Sequence, residues 1–202
     1  MGANKRVVST VVGGISSLVS VIASPILASA AFSNANTTIN ATVAATISIS
    51  SGPTVAIAVT PTAGGSLSSS SDSVYVSTNN TAGYTLTLAD SDATTNLTSG
   101  GNTIGAHAGT QASPTVLATN KWGYRVVNIG GFGATAYSGE SNVTSSTSTW
   151  AGMPATGAAN TIKTTAATAN LDLTTVWYGV RATSSQPAGV YTDTVTYTAT
   201  TN

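Results

Sequence analysis

The sequence predicts an all-β protein, an immunoglobulin-like antiparallel β-sandwich preceded by an N-terminal signal helix. Three observations predict it. Apolar side chains recur with period two in segment after segment from Ile39 to the C-terminal residues, the spacing that lines one face of a strand. Clusters of Gly, Pro, Asn and Asp punctuate those segments as turns would. Beyond the first 30 residues, no stretch carries a 3.6-residue apolar period. About six to eight short strands separated by turn signals suit such a sandwich.

Composition supports a folded chain and narrows its chemistry. The 202 residues are one domain's worth, with 41% apolar residues, enough buried surface to offset the entropy of ordering. Ser and Thr make up roughly a third of positions, well above ordinary usage. Charge is scarce, at 6 Lys plus Arg and 6 Asp plus Glu. Removing a leader that holds Lys5 and Arg6 leaves four basic against six acidic residues, a net of −2. That excludes a basic nucleic-acid surface. Cys is absent, so an exported fold must hold through packing and sheet ladders rather than disulfides.

The first element is the leader, "MGANKRVVSTVVGGISSLVSVIASPILASA". Lys5 and Arg6 form a positive n-region, an apolar stretch runs from Val7 to Leu27, and Ala28-Ser29-Ala30 supplies the small residues of a signal-peptidase site. Pro25 breaks the helix just before it. Cleavage after Ala30 is expected, making residues 1–30 a signal peptide and 31–202 a single sandwich domain, secreted or held at the cell surface. The membrane then meets only the leader, before cleavage. The alternative is an uncleaved anchor, since the stretch is nearly long enough to span; Gly13, Gly14 and the many serines weaken it. The lipoprotein Cys and the type IV pilin acidic residue are both missing.

Ile39, Ala41, Val43, Ala45, Ile47 and Ile49 share one face of the first predicted strand, with Asn40, Thr42, Thr46 and Ser48 on the other. At ~3.3 Å per residue it would extend about 36 Å, so a bend or two partners are expected. Gly52-Pro53 ends it; Val55, Ile57 and Val59 make a second strand that stops at Pro61. "TAGGSLSSSSD" reads as a turn. Val74, Val76 and Thr78, then "NNTAG", then Tyr84, Leu86 and Leu88 read as a hairpin. A fifth strand places Trp122, Tyr124 and Val126 opposite Lys121, Gly123 and Arg125. The segment from Asn128 to Asn160 is too long for a plain loop, so it hides short strands or presents a surface. Thr174–Ala182 alternates again, "SSQPAG" turns the chain, and Tyr191, Val195, Tyr197 and Ala199 oppose a row of threonines in the last strand.

The ending "PAGVYTDTVTYTATTN" resembles the closing strand of spore coat U and chaperone-usher pilin domains, in which an Ala-Gly turn precedes Tyr-x-Asp and an alternating Thr/Val run. More broadly, "STNNTAGYTLTLADSDATTNL", "KWGYRV" and "VWYGVRATSSQPAGVYTDTVTYTATTN", in that order, resemble secreted Thr/Ser-rich surface proteins of ultra-small candidate-phylum bacteria such as Saccharibacteria. That likeness covers nearly all of the mature chain and implies an immunoglobulin-like sandwich with a surface-structure or attachment role. The last strands are also similar to the WxL wall-binding domain, but the Trp-x-Leu signature is missing, as is the disulfide usual in chaperone-usher pilins.

Few residues invite chemistry. Asp90 and Asp92 in "ADSDA" could begin a calcium site, yet no acidic residue nearby in sequence completes six to eight oxygens, and turn capping explains them. His107, the single His, lacks a partner for a metal and reads as an exposed loop residue. A triad would have that one unsupported base, and Glu140 is the only Glu, so no catalytic residue and no cofactor are expected. Trp177 falls opposite Val176, Tyr178 and Val180, either as a sugar- or protein-contacting ring or as a cover over an open sheet paired with Arg181. Trp150 and Tyr137, in the long irregular segment, are expected as surface contacts. Five Asn-x-Ser/Thr sequons, at Asn36, Asn40, Asn79, Asn96 and Asn142, are chance products of a Thr-rich chain.

The leading expectation is a non-enzymatic, exported structural or adhesion protein, a pilin-like or surface-layer subunit. Its partners would be other copies of itself or surface proteins. Ile39, Val43, Ile47 and Ile49 would enter a neighbour's sheet, and the last strand would offer the receiving edge. Both strands pairing inside one molecule is the plain alternative. A second expectation is a glycan- or wall-binding module using Trp150, Trp177 and Tyr137. With no sorting signal after Thr201, retention on the cell would be noncovalent or through an uncut leader.

Overall fold

The computed structural model describes residues 30–202. The signal helix and Ala28 lie outside the described residues; Ala30, the first of them, is exposed. Contacts divide the chain into Met1–Ala41 and Thr42–Asn202. In the first unit, residues 30–41 carry no regular secondary structure and are exposed throughout.

The second unit is all-β, with no helix among the described residues. Its strands are β1 (Ile47–Ser50), β2 (Ser66–Thr78), β3 (Tyr84–Asp90), β4 (Leu97–Ser99), β5 (Asn102–Ala106), β6 (Thr115–Val116), β7 (Lys121–Arg125), β8 (Thr149–Trp150), β9 (Asn160–Thr164), β10 (Ala169–Ala182) and β11 (Val195–Thr201). A six-stranded sheet runs β1-β2-β10-β7-β5-β4, a three-stranded sheet β11-β3-β9, and β6 pairs with β8. All ladders are antiparallel except β5 with β7, a parallel pair that an all-antiparallel expectation does not contain.

One buried cluster takes side chains from both larger sheets: Val74 and Val76 of β2, Tyr84, Leu86 and Leu88 of β3, Trp122 and Tyr124 of β7, Ile162 of β9, and Val176, Tyr178 and Val180 of β10. Period two does this directly, because every second side chain of a strand faces the same way. Each fully buried Leu or Val contributes about 1.5–3 kcal/mol. Polar groups also tie the two sheets together: the Tyr178 and Tyr197 hydroxyls are 2.6 Å apart, and the Tyr84 hydroxyl donates to Asp172 Oδ2 at 2.8 Å.

The connections differ from the sequence reading in three places. "SLSSSSD" is not a turn: Ser66–Asp72 is the first half of β2, laddered to β10 without interruption from Ser66↔Ala182 to Thr174↔Val74. The serines find hydroxyl partners, Ser66 Oγ on the nearby Thr60 carbonyl and Ser69 Oγ with the hydroxyl of the sequence-distant Tyr137 at 2.9 Å, so a polar run can be buried. The "NNTAG" turn does reverse the chain, with Gly83 at φ +82° and its N–H on the Asn80 carbonyl at 3.0 Å. It joins strands of different sheets, however, so β2 and β3 are not a hairpin. The predicted strand from Ile39 forms a ladder only from Ile47, where β1 pairs with Thr78–Tyr75 of β2.

Candidate functional site

Three regions hold the residues singled out above. The first is the seam where β1 and β11, edge strands of the two sheets, come close. Ile47 is partly buried against the core, whereas Ile49 is 40% exposed, Ile39 82% and Val43 84%. The chain is pinned just before β1, where Asn79 Oδ1 accepts the Thr46 N–H at 2.7 Å and Asn79 Nδ2 donates to the Ala44 carbonyl at 2.9 Å. Past β1, Val55, Ile57 and Val59 alternate into the core as the sequence implies. Residues 53–59 nevertheless belong to no ladder, and no backbone–backbone hydrogen bond fastens them. The nearest polar ties are the Gly52 N–H on Asp72 Oδ1 at 2.8 Å and the Thr60 N–H on Asn142 Oδ1 at 2.6 Å.

The second region brings Trp150, Tyr137 and Trp177 together on the outer face of the six-stranded sheet. Tyr137 meets Trp150 edge-on with centroids 5.5 Å apart, and Trp177 likewise at 5.0 Å. The expectation of an exposed Trp150 is corrected: it is fully buried in a second apolar cluster with Leu67 and Leu117. The reason is Gly179, whose missing side chain leaves room for the indole; a Cβ there would stand 2.7 Å from it. Trp177 and Tyr137 are half-buried. The cation over these rings is Arg125, 4.2 Å from the Tyr137 centroid and 5.9 Å from that of Trp150, and not Arg181. Arg181 instead donates to the carbonyls of Leu117, Gly64 and Thr144, tying three loops to the sheet. Burial lowers the Arg125 pKa from its ordinary value, and the nearby Tyr137 and Glu140 oppose that. Glu140 accepts from Ser146 and Ser148 hydroxyls at 2.7–3.0 Å, closing the loop that covers this face.

His107 is likewise not an exposed loop residue. It is buried, with Nε2 2.8 Å from Thr115 Oγ1 and Nδ1 3.4 Å from the Ala118 N–H, which places the ring proton on Nε2. Burial pushes its pKa down, a hydrogen bond to the Thr115 backbone opposes, and the Lys121 charge adds to the fall. It borders an open groove of 470 Å³ walled by the 107–112 loop, Gly152–Pro154 and Asn160. Gln111 crosses that wall, its Oε1 accepting from the Tyr124 hydroxyl at 2.8 Å and its Nε2 donating to the Thr161 carbonyl at 2.9 Å. Both functional groups of the imidazole are spent on holding the loop.

The third region is acidic. Asp90 and Asp92 cap their turn as expected, Asp90 Oδ1 accepting the Asp92 N–H at 3.0 Å and Asp92 Oδ1 the Thr94 N–H at 2.6 Å. Sequence reading missed the third member, Asp193, about a hundred positions away and brought alongside by the β3–β11 ladder. Burial pushes Asp193 up to about 6; the Thr194 N–H opposes the shift, and the Asp90 and Asp92 charges reinforce it. The one advance signal was its place in "YTDTV", directly before the last strand. No family model, curated protein or solved structure matches this chain.

Proposed function

We propose that this chain is a non-enzymatic, exported structural or adhesion subunit of a cell surface, built on an immunoglobulin-like sandwich and joined to its neighbours by strand addition. The observation that carries the reading is the pairing of a donor with an acceptor. The donor is a segment whose alternate apolar residues, Ile39 and Val43, stand more than 80% exposed. The acceptor is the β11 edge, which ladders to β3 on one side and to no strand on the other. An extended segment adding there would satisfy backbone groups and bury its apolar face at once. Size-exclusion chromatography with light scattering tests it on the processed chain. Concentration-dependent oligomers that disappear on deleting residues 31–45 are expected; a strict monomer at every concentration overturns the reading.

A glycan- or wall-binding role keeps only Trp177 and Tyr137, because Trp150 is buried. Their half-exposed, edge-to-face pair is what favours it. Binding to a glycan array that is lost in Trp177→Ala would support this second reading, and a silent array would remove it.

A further inference from the structure

Asp90 closes β3 and is 1% exposed, yet its Oδ2 is buried without a hydrogen-bond partner. Asp193 is in the same condition: Oδ1 accepts the Thr194 N–H at 2.7 Å, while Oδ2 is buried and unpaired. The backbone holds the two side by side, since Val195 pairs with Asp90 and the Ser91 N–H bonds the Thr194 carbonyl at 3.0 Å. Asp92 completes the group from the exposed side, and one oxygen from each carboxylate lies within 4.8 Å of the other two.

Two buried carboxylate oxygens with no donor are costly, and a third carboxylate at this distance adds repulsion. No Lys or Arg among the described residues compensates, for their one ion pair is Lys163 with Asp172. A proton shared between Asp90 and Asp193 relieves part of this on acidification; with all three carboxylates ionised the group calls for a positive partner, and the orphaned oxygens are where it belongs. We infer that Asp90, Asp92 and Asp193 form a site for a hard divalent cation, calcium in preference to magnesium, with Asp90 Oδ2 and Asp193 Oδ2 as its inner ligands.

Calcium suits the donors because it takes all-oxygen shells of irregular geometry and accepts carboxylates in either denticity. Magnesium demands a near-ideal octahedron and gives up its waters reluctantly. The exposed side of Asp92 leaves room for water to complete the shell, and Thr94 Oγ1, 3.0 Å from Asp92 Oδ1, is one further oxygen at hand. A bound ion would clamp the end of β3 to the segment entering β11. The site does not depend on how subunits associate.

Thermal unfolding of the processed chain in calcium chloride, against magnesium chloride and against sodium chloride at matched ionic strength, provides the test. Three carboxylates with one exposed correspond to a Kd of about 10⁻⁴–10⁻³ M. At about 10 mM calcium, the weaker limit raises Tm by about 3–6 °C. Magnesium should give less and sodium little, and Asp193→Asn and Asp92→Asn should each cut calcium affinity at least tenfold. Asp92→Asn, on the exposed side, keeps the test open if Asp193→Asn folds poorly. Equal shifts in the three salts, or a calcium response unchanged in Asp92→Asn, overturn the inference.

Discussion

Replacing Trp150 by Ala tests whether the outer face of the large sheet is a second core or a binding surface. The indole is fully buried, lies over Gly179, and meets Tyr137 edge-on and Arg125 through its face. Removing about 150–250 Å² of aromatic burial at 25 cal/mol per Å² is worth about 4–6 kcal/mol as an upper bound. Measured Trp and Phe truncations in cores cost about 3–5 kcal/mol, so about 4 kcal/mol is expected. That corresponds to a Tm fall of about 8–16 °C in a domain of this size. Trp150→Phe should behave differently. The indole N–H has no partner, and losing it returns about 1–3 kcal/mol against a comparable loss of packing, leaving stability within about 1 kcal/mol of the parent. Urea denaturation followed by circular dichroism reads both. A loss below about 1 kcal/mol for Trp150→Ala would mean that the ring is not packed as described, and the second core would have to be abandoned.

Two further outcomes follow from local geometry. Gly83→Ala places a Cβ at φ +82° and 2.2 Å from the Thr165 carbonyl oxygen, so it should cost about 2–4 kcal/mol; Gly101→Ala, with open space around it, is the neutral control, and equal urea midpoints for the two would refute the account. His107, the only His, should titrate below the ordinary 6.5 in an NMR pH series. Between its folded and unfolded pKa values the unfolded chain holds more protons, so stability rises with pH across that window and falls on acidification below about 6.5. A midpoint at or above 6.5 would show that the ring is not buried neutral.

Strands whose two faces differ were legible in advance. Tyr84–Leu88, Val176–Val180 and Val195–Ala199 each send alternate apolar residues to the core, and each is a strand in the structure. The first half of β2 was hidden because, Leu67 apart, its residues are small or polar on both faces, with Tyr137 and Asn142 satisfying Ser69 and Ser68 from another segment. Nothing local to a serine run announces partners that distant. The turn at Asn80–Gly83 was equally visible, but a turn specifies reversal and not which sheet receives the next strand. Trp150 was misplaced because an irregular segment gives no periodicity from which to infer burial; the signal lay elsewhere, in Gly179 and Gly123 on the face it covers. Asp193 joined Asp90 only through a ladder whose register no spacing in the sequence encodes.

The long ladder between β2 and β10 joins positions about a hundred residues apart. During synthesis, β2 emerges well before the strand that will sit beside it, and closing so large a loop is slow. A waiting strand rich in Val and Ile would be an adhesive template for any other nascent chain. Four consecutive serines, Ser68–Ser71, keep half of it wettable until its mate arrives. The run that looks like a linker thus also serves as protection against premature clumping, and exchanging it for valines should lower the soluble yield even where the finished fold tolerates them.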